Sequence, residues 1–176
     1  KADLSEVVAY ARARGIAVLP EFDCPGHTAS WQIGYPDLSS RCATLAKHPL
    51  DPTKESTYAL IKTLLAEIDP LFGDEFPFWH MGGDEVGYAC WQNSTGGYID
   101  AYMAANGIAN GDYAALQSYF EKRVVDIVAK LPSKKRTVLW EDESTSHTSG
   151  LPQDAVVELW RERSGNATVV DATVKS

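Results

Sequence analysis

The apolar positions of this chain change period along its length. Leu4, Val7, Val8 and Ala11 fall at i, i+3, i+4 and i+7, one face of a helix, and Gly15 suits its C-terminal end. The spacing predicts a helix over Leu4–Arg14. Ile16–Phe22 (IAVLPEF) then predicts a short buried strand, running out into Glu21, Asp23 and the turn Cys24-Pro25-Gly26-His27. A loop rich in turn formers follows over 28–50. Asp51-Pro52 predicts a helix start, with Asp as N-cap and Pro in the first turn. Leu60, Ile61, Leu64, Leu65 and Ile68 give that helix its core-facing stripe. Past a connecting turn over Pro70–Glu75, Phe76–His80 (FPFWH) reads as a strand buried on both faces. A short helix over Tyr98–Ala105 precedes a longer one from Asp112 to about Lys130, striped by Tyr113, Leu116, Phe120, Val124, Ile127 and Val128. Arg136–Trp140 (RTVLW) and Ala155–Trp160 (AVVELW) are the third and fourth predicted strands. Strands alternating with helices predict an α/β fold, a parallel sheet with helices outside it.

Composition narrows the class. The 176 residues are 44% hydrophobic and carry 24 acids against 16 Lys and Arg, for a net charge of -8. No basic patch exists to neutralise phosphates, which argues against a nucleic-acid partner. No apolar run reaches membrane-spanning length, and no signal peptide opens the chain. The chain begins in what already reads as a helix and stops as another element gathers, so it is expected to be a segment of something longer.

The candidate chemistry gathers at the strand ends. After Phe76–His80, Met81-Gly82-Gly83 lets the backbone bend, and Asp84 and Glu85 follow at once. Neighbouring side chains on a regular strand point to opposite faces. Two adjacent acids serve one pocket only where the strand breaks up, and the glycines supply that freedom. Acids just beyond a buried strand sit where α/β barrels keep their chemistry. Solvated acids at an ordinary strand exit fit the same residues, as does a lone loop histidine at His27 that only makes hydrogen bonds. Trp140 and Trp160 end their strands beside carboxylates. Tryptophan fills barrel mouths as plain packing, yet a flat aromatic face also stacks on a pyranose while carboxylates bind hydroxyls and move protons. The combination points to carbohydrate.

Four stretches in order, EFDCPGH at 21–27, HMGGDE at 80–85, VLW at 138–140 and ELW at 158–160, resemble the family-20 glycoside hydrolases, the β-N-acetylhexosaminidases. The resemblance runs through nearly the whole chain. It implies a (β/α)₈ TIM barrel of which this chain, as a partial catalytic domain over 1–176, covers roughly strands 3 to 6. A full barrel needs about 250 residues. Strands 1, 2, 7 and 8 would carry an arginine and an aspartate early, and a tyrosine, an aspartate and a tryptophan late. The isolated segment is therefore expected to be inactive. Cys24 stands where threonine is familiar, and Glu141-Asp142-Glu143 is more acidic than the Gln-Glu often found after that tryptophan.

The resemblance also implies a mechanism, retaining and substrate-assisted, one of the recognised exceptions to the two-carboxylate scheme. Glu85 would be the general acid and base, and Asp84 would orient the acetamido group of a terminal N-acetylhexosamine. His27 and Asp23 would support the acid, Trp140 and Trp160 would wall the acetamido pocket, and His80, inside its strand, is read as structural. No cofactor and no metal are implied. The substrate would be an oligosaccharide or glycoconjugate ending in N-acetylglucosamine or N-acetylgalactosamine, and a homodimer of the complete protein is allowed. Eukaryotic lysosomal members carry a disulfide similar to Cys42–Cys90. With the acceptor triplets at Asn93 and Asn166, it implies a lysosomal or extracellular location. Two alternatives stay open: a metal-dependent hydrolase using His27, His80, Asp84 and Glu85, and a non-catalytic sugar-binding protein on the same scaffold.

Overall fold

The computed structural model describes residues 1–42, 49–73, 76–142, 151 and 155–160. Its elements in chain order are α1 (Ala2–Arg12), α2 (Trp31–Gly34), α3 (Glu55–Ile68), β1 (Phe78–His80), α4 (Tyr88–Gln92), α5 (Tyr98–Ala105), α6 (Tyr113–Ala129), β2 (Arg136–Trp140) and β3 (Val156–Glu158). The strands form one parallel sheet in sequence order. Phe78 pairs with Arg136 and His80 with Val138, while Val138 pairs with Val156 and Trp140 with Glu158. β2 keeps its predicted bounds. β1 starts two residues late because Pro77 has no N–H to give the ladder and serves it only through its carbonyl, which accepts from Arg136.

The strand expected over Ile16–Phe22 is only partly realised. Residues 20–24 lie parallel to β1, with Phe22 N–H donating to His80 O, His80 N–H to Pro20 O and Cys24 N–H to Met81 O. Ile16 and Leu19 stay exposed, and among the described residues the pairing with β1 reaches back only to Pro20. Helix α1 also differs from expectation. Val8 alone reaches the core, and Leu4 and Val7 face outward, since the short 3₁₀ turn Asp69–Leu71 is what packs against this helix among the described residues.

Asp51 does not cap a helix. Its carboxylate takes the Thr53 N–H at 2.9 Å, the Thr53 hydroxyl at 2.7 Å and the Tyr98 hydroxyl at 2.8 Å. That closes an Asx-type turn, and α3 begins only at Glu55. Asp112 does cap α6, accepting from Ala115 N–H at 2.9 Å.

α6 packs on β2, and α3 packs on α6. Between sheet and helices lies a core of Ile61, Leu65, Phe120, Val124, Val128 and Leu139 around Trp79. Trp79 meets the rings of Phe22 and Phe72 and donates its indole N–H to Asp69 at 2.8 Å, so full burial strands no polar atom. Each such apolar side chain contributes about 1.5–3 kcal/mol. A second cluster of Trp91, Ile99, Met103, Tyr113 and Leu116 sits under α4 and α5. The disulfide Cys42–Cys90 ties the loop after α2 to α4.

Candidate active site

The C-terminal ends of all these strands face one rim. The decisive local event is the turn after β1. Gly82 at φ +69° and Gly83 at φ +102° are followed by Glu85 at φ +52°, and His27 across the rim also has φ +52°. Left-handed backbone is uncommon outside glycine. It cancels strand alternation, so the adjacent Asp84 and Glu85 both turn toward His27. The Nε2 atom of His27 lies 3.6 Å from Asp84 Oδ2, 3.6 Å from Glu85 Oε2 and 3.9 Å from Asp23 Oδ2.

Asp23 packs on the glycine turn and accepts the Gly83 N–H at 3.1 Å. Burial pushes its carboxyl up to about 7. The Gly83 N–H opposes that shift, the Asp84 charge adds to it, and His27 opposes it again. Next to it, burial raises the Cys24 thiol well above the ordinary range. Asp84 is mostly buried, and its Oδ1 has no hydrogen-bond partner among the described residues. Glu85 is open to solvent at its carboxylate, while its backbone N–H donates to Asp142 Oδ2 at 2.5 Å.

His80 is buried beneath this turn. Its Nδ1 accepts the Gly82 N–H at 3.0 Å and lies 3.6 Å from Glu21, so the neutral ring carries its proton on Nε2, 3.6 Å from Glu158. Burial lowers its pKa, against the pull of Glu21, Glu158 and Asp84. Trp140 donates its indole N–H to Glu21 at 2.9 Å and stands 4.4 Å, centroid to centroid, from His80. Trp160, with an exposed ring, donates to the Glu141 carbonyl at 2.8 Å. Asn93 is exposed at the end of α4 and donates to Ala89 O, and Asn166 lies outside the described residues.

Asp23, His27 and Asp84 bring ligand atoms within 4.8 Å of one another, near enough to share a cation. His80 and Glu85 do not join that group, so the four-residue metal set is not assembled.

The sequence reading missed what lies behind the turn. Gln117 and Glu121 of α6 are fully buried, and Gln117 donates from Nε2 to both Gly83 O and Glu121 Oε1. Tyr88 donates its hydroxyl to Gln117 Oε1 at 2.7 Å. A signal existed. These polar residues sit four apart, each directly after a stripe residue, Leu116 or Phe120, inside a helix that the pattern already marks as core.

Residues 1–175 match the family described as glycosyl hydrolase family 20, catalytic domain. The beta subunit of β-hexosaminidase from Mus musculus is 37% identical over 164 residues, covering 90% of this chain and 29% of its own length. A chitobiase structure from Flavobacterium johnsoniae aligns with TM-score 0.76 at 29% identity, over 90% of this chain and 24% of that one. The exo-β-N-acetylglucosaminidase of Vibrio harveyi, solved in complex with N-acetylglucosamine, aligns with TM-score 0.73 at 29% identity, over 90% and 25%. The chain thus spans less than a third of the curated relatives it matches. These structures give it a TIM-barrel-type α/β fold.

Proposed function

The chain belongs to glycosyl hydrolase family 20, and from that premise we propose that the complete protein is a β-N-acetylhexosaminidase releasing terminal non-reducing N-acetyl-D-hexosamine from glycoconjugates. One observation carries the reading. Adjacent carboxylates gather about a single imidazole nitrogen, and one of them, Asp84, keeps a buried oxygen with no hydrogen-bond partner among the described residues. An unmet buried acceptor costs about 1–3 kcal/mol. An acetamido N–H is a donor of the right kind to satisfy it.

The chemistry then follows from position. The substrate's acetamido oxygen attacks the anomeric carbon as the glycosidic C–O bond breaks, and Glu85 gives its proton to the departing oxygen. Asp84 holds the acetamido N–H and offsets the positive charge on the cyclised intermediate. Water then attacks the same carbon, Glu85 takes a proton back, and the acetamido group is released. Two inversions leave the configuration retained. Solvent access suits Glu85 to exchange protons, and partial burial suits Asp84 to its electrostatic part. Asp23 and His27 support the pair, and Trp140 and Trp160 wall the acetamido pocket.

The segment 20–24, β1, β2 and β3 are successive parallel neighbours, which supports their assignment to roughly strands 3 to 6 of one (β/α)₈ catalytic domain. The disulfide supports an oxidising compartment, lysosomal or extracellular. No helix of the described residues is long and apolar enough to cross a membrane. A homodimer rests on the family resemblance alone.

The test is Glu85→Gln in the complete protein. On an N-acetylglucosamine disaccharide, kcat should fall ~10²–10⁴-fold with KM nearly kept. On a nitrophenyl glycoside, whose leaving group needs little protonation, the loss should be smaller. Full activity of the variant on the disaccharide would remove Glu85 from the mechanism.

A further inference from the structure

We propose that Gln117 is a positioning residue whose single amide clamps both ends of the loop carrying Asp84 and Glu85. This rests on the hexosaminidase reading for its kinetic consequence, though not for its structural one.

The loop between Gly83 and Tyr88 is short and irregular, and it supplies two of the groups that surround His27. At its start, the Gly83 carbonyl accepts from Gln117 Nε2. At its end, the Tyr88 hydroxyl donates to Gln117 Oε1 at 2.7 Å. Glu121, one turn further along α6, accepts the second Nε2 hydrogen at 2.7 Å. Only one orientation of the amide works. Reversed, it would set its oxygen against both the Gly83 carbonyl and the Glu121 carboxylate, acceptor against acceptor. Glu121 therefore locks the amide, and the amide locks the loop.

The contact is also close in van der Waals terms. A Cβ built on Gly83 would lie 3.0 Å from Glu121 Oε1, so the turn rests directly on α6. Asp142, two residues past the end of β2, holds the Glu85 N–H. The loop is thus gripped between α6 and the end of β2. Gln117 and Glu121 are both buried, at 0% and 1% exposure, which excludes a solvating role for either. A helix that packs its polar pair onto a catalytic turn sets where the carboxylates point, and misplacing such groups by 1 Å can cost on the order of 10²-fold in rate.

The experiment compares Gln117→Met and Gln117→Glu with the wild type in the complete protein. Methionine keeps volume and removes both polar functions. It should lower kcat about tenfold or more with KM changed less than about threefold. Gln117→Glu should behave differently. A carboxylate cannot donate to the Gly83 carbonyl and repels Glu121, whereas its protonated form can donate. The kcat of this variant relative to the wild type should rise as pH falls, a dependence that the same ratio for Gln117→Met lacks. Hydrogen–deuterium exchange over 83–88 should quicken in Gln117→Met and leave β1 and β2 protected. If Gln117→Met does not fold, Tyr88→Phe removes one end of the clamp from a half-buried position and should quicken exchange over the same loop. Unchanged exchange over 83–88 in the folded variant overturns the clamp. So does quickened exchange with kcat, KM and the pH profile all unchanged. Quickened exchange over 83–88 in the variant, beside a wild type that cleaves no N-acetylhexosaminide, overturns the hexosaminidase reading instead and leaves the clamp standing.

Discussion

Gly82→Ala is expected to be among the most damaging single-methyl additions in this chain. Gly82 has φ +69°, and a left-handed conformation costs an alanine roughly 1–2 kcal/mol. The new Cβ would sit 1.8 Å from Asp23 Oδ1, 2.4 Å from its Cγ and 2.6 Å from its Cα. Turning the Asp23 side chain relieves the first two contacts but not the third, so backbone must move, at about 1–3 kcal/mol. Moving Asp23 also forfeits its bond from the Gly83 N–H, a further ~1–3 kcal/mol. The total, roughly 3–8 kcal/mol, is comparable with the whole stability of a typical domain. Gly96→Ala separates the terms. Gly96 has φ +73° with nothing within 4 Å of its built Cβ, so it reports the backbone cost alone. Both variants would be measured in the complete protein by thermal unfolding and by kcat. Gly96→Ala should lose a few degrees in midpoint and keep its activity, and Gly82→Ala should lose far more of both. Equal midpoints for the two variants would refute the packing of Asp23 on the glycine turn.

Two further outcomes are expected. Because Asp23 titrates near 7 in the fold against 3.8 ordinarily, the native state keeps a proton that the unfolded chain has lost between those values. Stability should therefore fall as pH rises from about 4 to about 7, by at most ~4 kcal/mol and less to the extent that water reaches the group. Asp23→Asn should flatten that slope in thermal midpoints taken from pH 5 to 8, and parallel wild-type and variant curves would refute the assignment. Replacing Cys42 and Cys90 together by serine should lower stability by ~4 kcal/mol for a closure spanning 48 residues, as read by denaturant unfolding. An unchanged midpoint would show that the crosslink constrains nothing.

The parts legible in the sequence were those where one physical signal acted alone. RTVLW holds no proline and runs from β-branched Thr137 and Val138 into Leu139 and Trp140, and β2 spans it end to end. The helix read from Asp112 does begin there, with the Asp112 carboxylate as its cap. Where two signals competed, the pattern misled. Asp51-Pro52 has the composition of a helix start, but Thr53 and Tyr98, the latter 47 residues away, claim the Asp51 oxygens first. IAVLPEF has the composition of a buried strand, but strand length depends on a partner that the local sequence does not contain. At the site, the resemblance picked out Asp84, Glu85, His27 and Asp23, and the structure gathers them. The supports are harder to read. Asp142 looked like one more acid on a rim, and its bond to the Glu85 N–H depends on how β1 and β2 register, which no short motif encodes.

That last bond has a consequence in time. Asp142 is made 57 residues after Glu85, and Gln117 is made 34 residues after Gly83. At about 5–20 residues per second, a ribosome takes roughly 3–11 s to go from Glu85 to Asp142. Until that interval ends the acid pair exists as a chain segment without its full set of anchors, and the site is not yet a site. The groups that must be placed most accurately are translated before the groups that place them.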